Sequence, residues 1–447
     1  MKDFYKRLAV IAIPMALQQL ISTGVNFIDT FMIGRLGEVS IASVGLSNKV
    51  FFIFSLLLFG MCSGGTIFFS QFWGKKDLKN ISKTTSLVLI TGIILSLGFF
   101  LPAYFIPEKI LSLLSPDINV INSGASYLKI ISLSYTITAI IYIFEAVLRS
   151  TENTVLPMTA SIITVVSNIF LNYILIFGKF GFPEMRESGA ALGTVISRFI
   201  QIFILFSFMI KKKHPGIFFF REFKNLSFSF TKKFFEYALP TTVNEFLWSL
   251  GITFYTVVFS YMGTNVIAAK NVVDTIEGFV WAILTSFGNS TAVIIGKEIG
   301  ASRFENAFNY TKKLTLLTVF AAVILAFALF FSSGFFADIF NVTDNVKNMI
   351  VTILTISCIF IPLRAWNMVG GVGVLRAGGD AKFFLLVDVS SMWLIGIPMA
   401  FLGSKVFKLP YNIVFLLTMS DEIFKSVIIF LRIKSKKWAK NIVGETN

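Results

Sequence analysis

Long apolar runs alternate with short polar intervals along the whole chain, and that pattern predicts helices that cross a bilayer. A crossing helix needs about 20 apolar residues, because each adds about 1.5 Å across a hydrocarbon core of about 30 Å. Twelve runs meet this length: 8–33, 48–73, 84–106, 124–148, 155–177, 189–210, 234–262, 276–299, 314–336, 346–375, 383–403 and 411–433. The longest polar interval, 211–233, splits them six and six. The expected organisation is an N-terminal lobe over 1–210, a cytoplasmic linker over 211–233 and a C-terminal lobe over 234–447. The expected fold class is an all-α integral membrane protein with twelve transmembrane helices in two six-helix bundles. The first run is too long for a signal peptide, carries Pro14, Gln18, Gln19 and Asp29, and lacks a small-residue cleavage site.

Composition agrees with this pattern. Of 447 residues, 55% are hydrophobic and 14% charged, whereas a soluble domain carries about 25% charged residues to face water. A soluble enzyme and a disordered chain are both excluded on these grounds. The single His and two Cys leave little material for a metal centre or a disulfide framework. Cys62 and Cys358 lie within apolar runs and carry no redox information. The net charge of +15 is carried by dense loop clusters such as Lys211-Lys212-Lys213 and Lys434, Lys436 and Lys437. With a cytoplasmic N-terminus, the inner segments hold about 26 Lys and Arg against about 9 outside, the asymmetry the positive-inside rule requires. Both termini are therefore expected in the cytoplasm. The basic clusters serve topology and anionic lipid rather than nucleic acid.

The two halves repeat. At an offset of 226, Pro14 meets Pro240, Gly37 meets Gly263 and Gly74 meets Gly300. After one insertion Val147-Leu148-Arg149 meets Val374-Leu375-Arg376, and Arg198 meets Lys425. Six spans is an even number, so both halves begin on the same side and the repeat is parallel. Two such bundles can rock about a central cavity, which favours a transporter over a pore.

Polar residues inside spans are costly, so they mark candidate function. Asp29 lies in the outer part of span 1, with Asn26 one turn before it. Asn168 and Asn172 share one face of span 5, and Thr194 lies early in span 6. With the stated orientation all four of Asp29, Asn168, Asn172 and Thr194 fall in the outward third of the first half. A carboxylate, amide oxygens and a hydroxyl suit a small cation such as sodium; a desolvated Asp29 could instead carry a proton. The second half has Tyr255 in place of Asp29, and Ile395 and Met399 in place of the asparagines. Glu245 and Arg364 are expected at matching depth in spans 7 and 10, as an ion pair of either structural or substrate-binding use. Trp248 and Tyr255 continue the face of Glu245 and could hold an organic cation against their rings, or simply pack. Asp421 and Lys425, four residues apart, are expected to pair. Glu145, Glu277 and Asp388 read as lone acids without a role.

These residues resemble a known family. Asn26-Phe27-Ile28-Asp29-Thr30-Phe31-Met32-Ile33-Gly34, fifteen residues from Pro14 to Asp29, resembles the first-helix signature of the multidrug and toxic compound extrusion (MATE) family. Asn168-Ile169-Phe170-Leu171-Asn172-Tyr173 with Gly178-Lys179-Phe180-Gly181 looks like its fifth helix and following loop. Leu148-Arg149 and Leu375-Arg376-Ala377-Gly378-Gly379-Asp380 match its paired cytoplasmic loops. The resemblance covers all twelve spans. It implies a plasma-membrane antiporter, cytoplasmic at both ends, that exports organic, cationic amphipathic compounds by alternating access. The coupling ion would be sodium or a proton, held at Asp29, Asn168, Asn172 and Thr194. No cofactor is expected, the partners are a drug-like substrate and the bilayer, and a monomer is expected. Some members carry an acid where this chain has Asn172, which leans the reading toward sodium. Others carry a glutamate eight residues after the seventh-helix proline, where this chain has Trp248.

Two rivals remain at this stage. A lipid or lipid-linked oligosaccharide flippase of the wider superfamily would share the fold, but twelve spans and few cavity cations argue against it. An intramembrane enzyme would need a paired-aspartate motif or a membrane-embedded histidine; the chain has no adjacent Asp pair, and His214 lies in a loop.

Overall fold

A computed structural model describes residues 2–217, 219–340 and 342–444, apart from the side chains of Lys2, Asp3, Asn26, Phe27 and Phe219. Asn26 as a candidate site residue therefore lies outside the described side chains. Among the described residues there are helices and turns and no β-strand. Twelve helical spans account for nearly all of them. In the first half they are α1 (Lys2–Gly34), α2 (Glu38–Lys75), α3 (Leu78–Phe105), α4 (Ile118–Ser132 and Ser134–Ser150, bent by 46°), α5 (Val155–Phe177) and α6 (Arg186–Lys211). In the second half they are α7 (Phe228–Ser260), α8 (Thr264–Gly300), α9 (Phe304–Ile339), α10 (Asp344–Arg376), α11 (Ala381–Val406) and α12 (Tyr411–Thr418 continued by Ser420–Lys434).

The repeat seen in the sequence returns in the backbone. Gly37 and Gly263, 226 apart, start α2 and α8 at φ of 113° and 108°, a region in which residues with a Cβ are strained. Lys76 and Ser302 end the same two helices in the left-handed region at 61° and 58°, and Glu152 and Gly379 do so after α4 and α10 at 65° and 83°. The same punctuation therefore cuts both halves into the same pieces. Pro14 and Pro240 both lie inside their helices.

The chain divides into two compact units, Met1–Thr242 and Val243–Asn447. The division falls inside α7, just after Pro240. The first half of α7 packs on α2, where Phe234 meets Phe68 with ring centroids 5.6 Å apart and Thr241 donates to the Gly60 carbonyl at 2.7 Å. Gly64 lies so close to Ala238 that a Cβ on it would fall 2.4 Å from the Ala238 Cα.

In the second unit, α10 does not end where its hydropathy falls. Its last eight residues, Val369–Arg376, widen into a π-helical turn. Gly370, Gly371 and Gly373 there face Ile429, Phe384 and Thr291, the close helix approach that small residues allow in membranes. Arg376 is consequently helical and buried at 3% exposure, and Arg149 likewise lies in the last turn of α4. Both were expected in loops; the helices extend past their apolar runs and carry the arginines into the interior.

Candidate cation site and the buried charge networks

The four residues expected to converge in the first unit do so, and they form a chain of hydrogen bonds. Asn172 donates through Nδ2 to Asp29 Oδ1 at 2.9 Å and to Asn168 Oδ1 at 3.4 Å. Asn168 donates through Nδ2 to Thr194 Oγ1 at 3.3 Å, and Thr194 donates to the Ala190 carbonyl at 3.0 Å. The cause is geometric. Asn168 and Asn172, four apart on α5, point the same way, and α5 packs against both α1 and α6. Asn172 is 1% exposed, yet its Oδ1 has no protein partner. Room for this carbonyl comes from Gly193 on α6, where a Cβ would fall 2.3 Å from it. A buried acceptor left unsatisfied costs about 1–3 kcal/mol. The arrangement thus keeps a carboxylate and a bare amide oxygen side by side, a donor set that suits a small hard cation.

A second network lies deeper along the same unit. Glu145 Oε1 accepts from Gln18 and Gln201 at 2.9 and 3.1 Å, and its Oε2 takes Arg149 at 3.2 Å. Ser161 accepts from the same two glutamines, and Arg198 donates to Gln201 at 2.8 Å. Glu145 is therefore the centre of a buried cluster rather than a lone acid. A signal for this existed in Gln18 and Gln201, two amides within apolar spans.

In the second unit the expected Glu245–Arg364 pair is replaced by two others. Glu245 pairs with Arg376 at 2.7 Å, and Arg364 pairs with Glu277 at 3.1 Å. Residue counting matched depth but not helix face, and Arg376 had been assigned to a loop. Asp421 and Lys425 do not pair either. Lys425 reaches Asp388 at 2.7 Å and Glu422 at 3.7 Å, while Asp421 accepts from the Tyr255 hydroxyl at 3.3 Å. Glu277 and Asp388, like Glu145, thus each hold a cation. Trp248 and Tyr255 do not make one aromatic ladder. Trp248 packs edge-on to Trp281, centroids 6.3 Å apart, with the Arg364 guanidinium 6.0 Å from that second ring. Tyr255 turns instead to Asp421.

The two networks use equivalent positions of the repeat. Arg149 donates to Gln18 Oε1 at 3.5 Å, and its mate Arg376 donates to Asn244 Oδ1, the mate position of Gln18, at 2.5 Å. Gln18 donates to Ser161, and Asn244 donates at 2.7 Å to Asp388, the mate position of Ser161. One architecture carries its acids at different places in the two units. Among the described residues there is no cluster of three or more His, Cys, Asp or Glu with metal-binding geometry.

Comparisons with known proteins agree with this architecture. The MatE family profile matches residues 14–174 and 240–402, one block in each half. A protein of Thermotoga maritima named "Probable multidrug resistance protein NorM" is 26% identical over 99% of this chain and 94% of its own length. An uncharacterised Bacillus subtilis transporter, YisQ, is 23% identical over 92% and 90%. Among solved structures, a mutant of the Vibrio cholerae MATE transporter VcmN superposes with a TM-score of 0.90 over 99% of this chain and 98% of its own, at 19% identity. A transporter of the wider superfamily from Pyrococcus furiosus gives 0.88 at 18% identity, covering 97% and 96%. The chain is a twelve-helix, multi-pass plasma-membrane transporter rather than an enzyme, and it belongs to the MatE family.

Proposed function

We propose that this chain is an efflux antiporter that exports organic, cationic amphipathic compounds and is driven by inward movement of a small monovalent cation. The observation that carries the reading is the bare Asn172 carbonyl beside Asp29, buried yet unpaired. A cation entering there gains the Asp29 carboxylate, the Asn172 oxygen and the Thr194 hydroxyl, with Asn168 fixing the geometry. Sodium is the ion these hard oxygens suit. The multidrug names of relatives that align over nearly the whole chain support the substrate class.

Coupling requires that the cation bind one conformation better than another, because equal affinity shifts no equilibrium. Asp29, Asn168 with Asn172, and Thr194 stand on α1, α5 and α6 respectively. Ligation draws these helices together. A conformation that separates α1 from α5 loses the site, so occupancy favours the closed packing of this unit. Export then follows if the closed packing is the one that releases the organic substrate outward. Arg149, Gln18, Glu145 and Gln201 hold the other end of the same helices in register and need not touch the ion.

The test is efflux of a fluorescent organic cation from proteoliposomes under sodium and proton gradients imposed separately. Efflux driven by the sodium gradient alone supports the reading. Efflux that follows only the pH gradient would keep the antiport and replace the ion. Efflux indifferent to both gradients would overturn it.

A further inference from the structure

We infer that Asp421 carries an exchangeable proton in the second unit, at a site related by the internal repeat to the Asp29 site but built with the carboxylate on the opposite helix. The inference goes beyond the proposed function, which concerns the first unit alone.

The first observation is positional. At the offsets that align the halves, Asp29 on α1 corresponds to Tyr255 on α7, and Thr194 on α6 corresponds to Asp421 on α12. In both units a carboxylate and a hydroxyl thus occupy this helix pair, and the second unit exchanges them. Tyr255 donates to Asp421 Oδ2 at 3.3 Å and lies 3.5 Å from the Thr418 carbonyl. Gly396 on α11 makes room: a Cβ there would fall 2.0 Å from the Tyr255 hydroxyl oxygen and 3.0 Å from the Asp421 Cβ.

The second observation is the charge balance. Apart from Asp380, which Arg432 and Lys440 hold, the buried and part-buried acids around α12 are Glu245, Glu277, Asp388, Asp421 and Glu422. Only Arg364, Arg376 and Lys425 oppose them. Each cation is already committed: Arg364 to Glu277, Arg376 to Glu245, and Lys425 to Asp388 with Glu422. Asp421 is 4% exposed, and among the described residues no basic side chain lies within ion-pair distance of it. Further pairs on this unit, among them Lys270 with Asp274 and Arg303 with Glu298, involve other acids. In the first unit Glu145 has Arg149, and Asp29, within the hydrogen-bonded site, likewise has no basic side chain within ion-pair distance among the described residues. Asp29 on the α1–α6 pair and Asp421 on the equivalent α7–α12 pair are therefore both carboxylates without an ion-pair partner among the described residues. Such a charge in a membrane interior is strongly disfavoured unless a cation joins it.

The chemistry selects a proton over a metal ion in this second site. A sodium shell needs several oxygens, and α11 supplies Ile395, Gly396 and Met399 where α5 has Asn168 and Asn172. The Glu422 oxygens are occupied by Lys425 and by Asn367 at 2.6 Å. A proton needs only the Asp421 carboxylate. It adds to that group to give the neutral acid and returns to water when the acid ionises, with the Tyr255 hydroxyl bridging Asp421 and the Thr418 carbonyl throughout.

The test uses the full chain in lipid nanodiscs carrying Asp29→Asn, so that the first site is silent. Infrared difference spectra are recorded on a step from alkaline to mildly acidic pH. The background variant should gain a carboxylic-acid carbonyl band buried from solvent exchange. That band should vanish in Asp29→Asn/Asp421→Asn, and should shift in frequency without loss in Asp29→Asn/Asp421→Glu, which guards against misfolding of the asparagine variant. An acid band unchanged by either substitution at position 421, or absent from the Asp29→Asn background, would overturn the inference. Because Asp29 is already neutral, neither result depends on the coupling role proposed for it.

Discussion

Glu245 gives its carboxylate to Arg376 at 2.7 Å and not to Arg364. Both partners are buried, so removing one leaves the other as an uncompensated charge, at a cost of about 3–5 kcal/mol. Arg376→Met should lower the thermal midpoint of the detergent-solubilised protein sharply. Arg376→Met with Glu245→Leu should recover most of the loss. Glu245→Leu combined with Arg364→Met should instead be additive, since those two residues share no contact. Additivity in the first pair and coupling in the second would contradict the assignment.

Gly193 holds open the space occupied by the Asn172 carbonyl, with only 2.3 Å between that oxygen and a Cβ placed on it. Gly193→Ala should therefore displace Asn172 while leaving the helices assembled. Cation affinity measured by calorimetry should fall roughly ten-fold or more, in line with the loss of one ligand worth about 1–3 kcal/mol. Asn172→Ala should weaken cation dependence by a similar factor. An alanine at 193 with unchanged affinity would mean that the bare carbonyl is not a ligand.

His214 supplies a prediction outside the membrane. The Gly216 amide donates to its Nδ1 at 3.2 Å, so that nitrogen must be unprotonated. Nε2 then carries the hydrogen and donates to Thr151 Oγ1 at 2.9 Å. Burial pushes the imidazole down from 6.5 to about 4. The folded value lies below the unfolded one, so the unfolded segment binds more protons between them. Stability from this contact is complete above about pH 6.5 and is lost as pH falls toward about 4. Hydrogen exchange of residues 211–217 should accelerate across that window and lose the dependence in His214→Asn. Protection that rises on acidification would contradict the lowered pKa of the buried imidazole.

The surplus of Lys and Arg on alternate loops predicts that Lys212 faces the cytoplasm. A cysteine introduced by Lys212→Cys should resist an impermeant reagent applied to intact cells and react after permeabilisation. Reaction from outside would reverse the orientation of both termini.

How much was legible beforehand differs by element. The twelve spans were, each as an apolar run of about 20 residues, and the parallel repeat then aligned them six on six. The convergence of Asp29, Asn168, Asn172 and Thr194 was also legible. One spacing of four on α5 fixed a shared face, and common depth did the rest. The ion pairs of the second unit were not. Depth along a helix can be counted from its end, but the face depends on helix rotation and on breaks such as the π-helical turn that carries Arg376 inward. Glu277 looked isolated because Arg364 stands 87 residues away and Asp388 because Asn244 stands 144 away, while Glu145 looked isolated because Arg149, four residues on, was assigned to a loop. The Gln18–Arg149 and Asn244–Arg376 equivalence lay in the repeat, visible only once both members of each pair are placed in space.

The most direct measurement of the central claim is gradient-driven efflux by Asp29→Asn in proteoliposomes, beside the unsubstituted protein, with protein incorporation matched and folding checked by thermal melting. The substitution keeps the size of the side chain and removes its charge. Efflux of the organic cation should fall to the level of empty liposomes under both sodium and proton gradients, while the melting profile stays close to that of the unsubstituted protein. Efflux at the unsubstituted rate under either gradient would contradict a coupling role for Asp29 and reduce the four-residue site to helix packing.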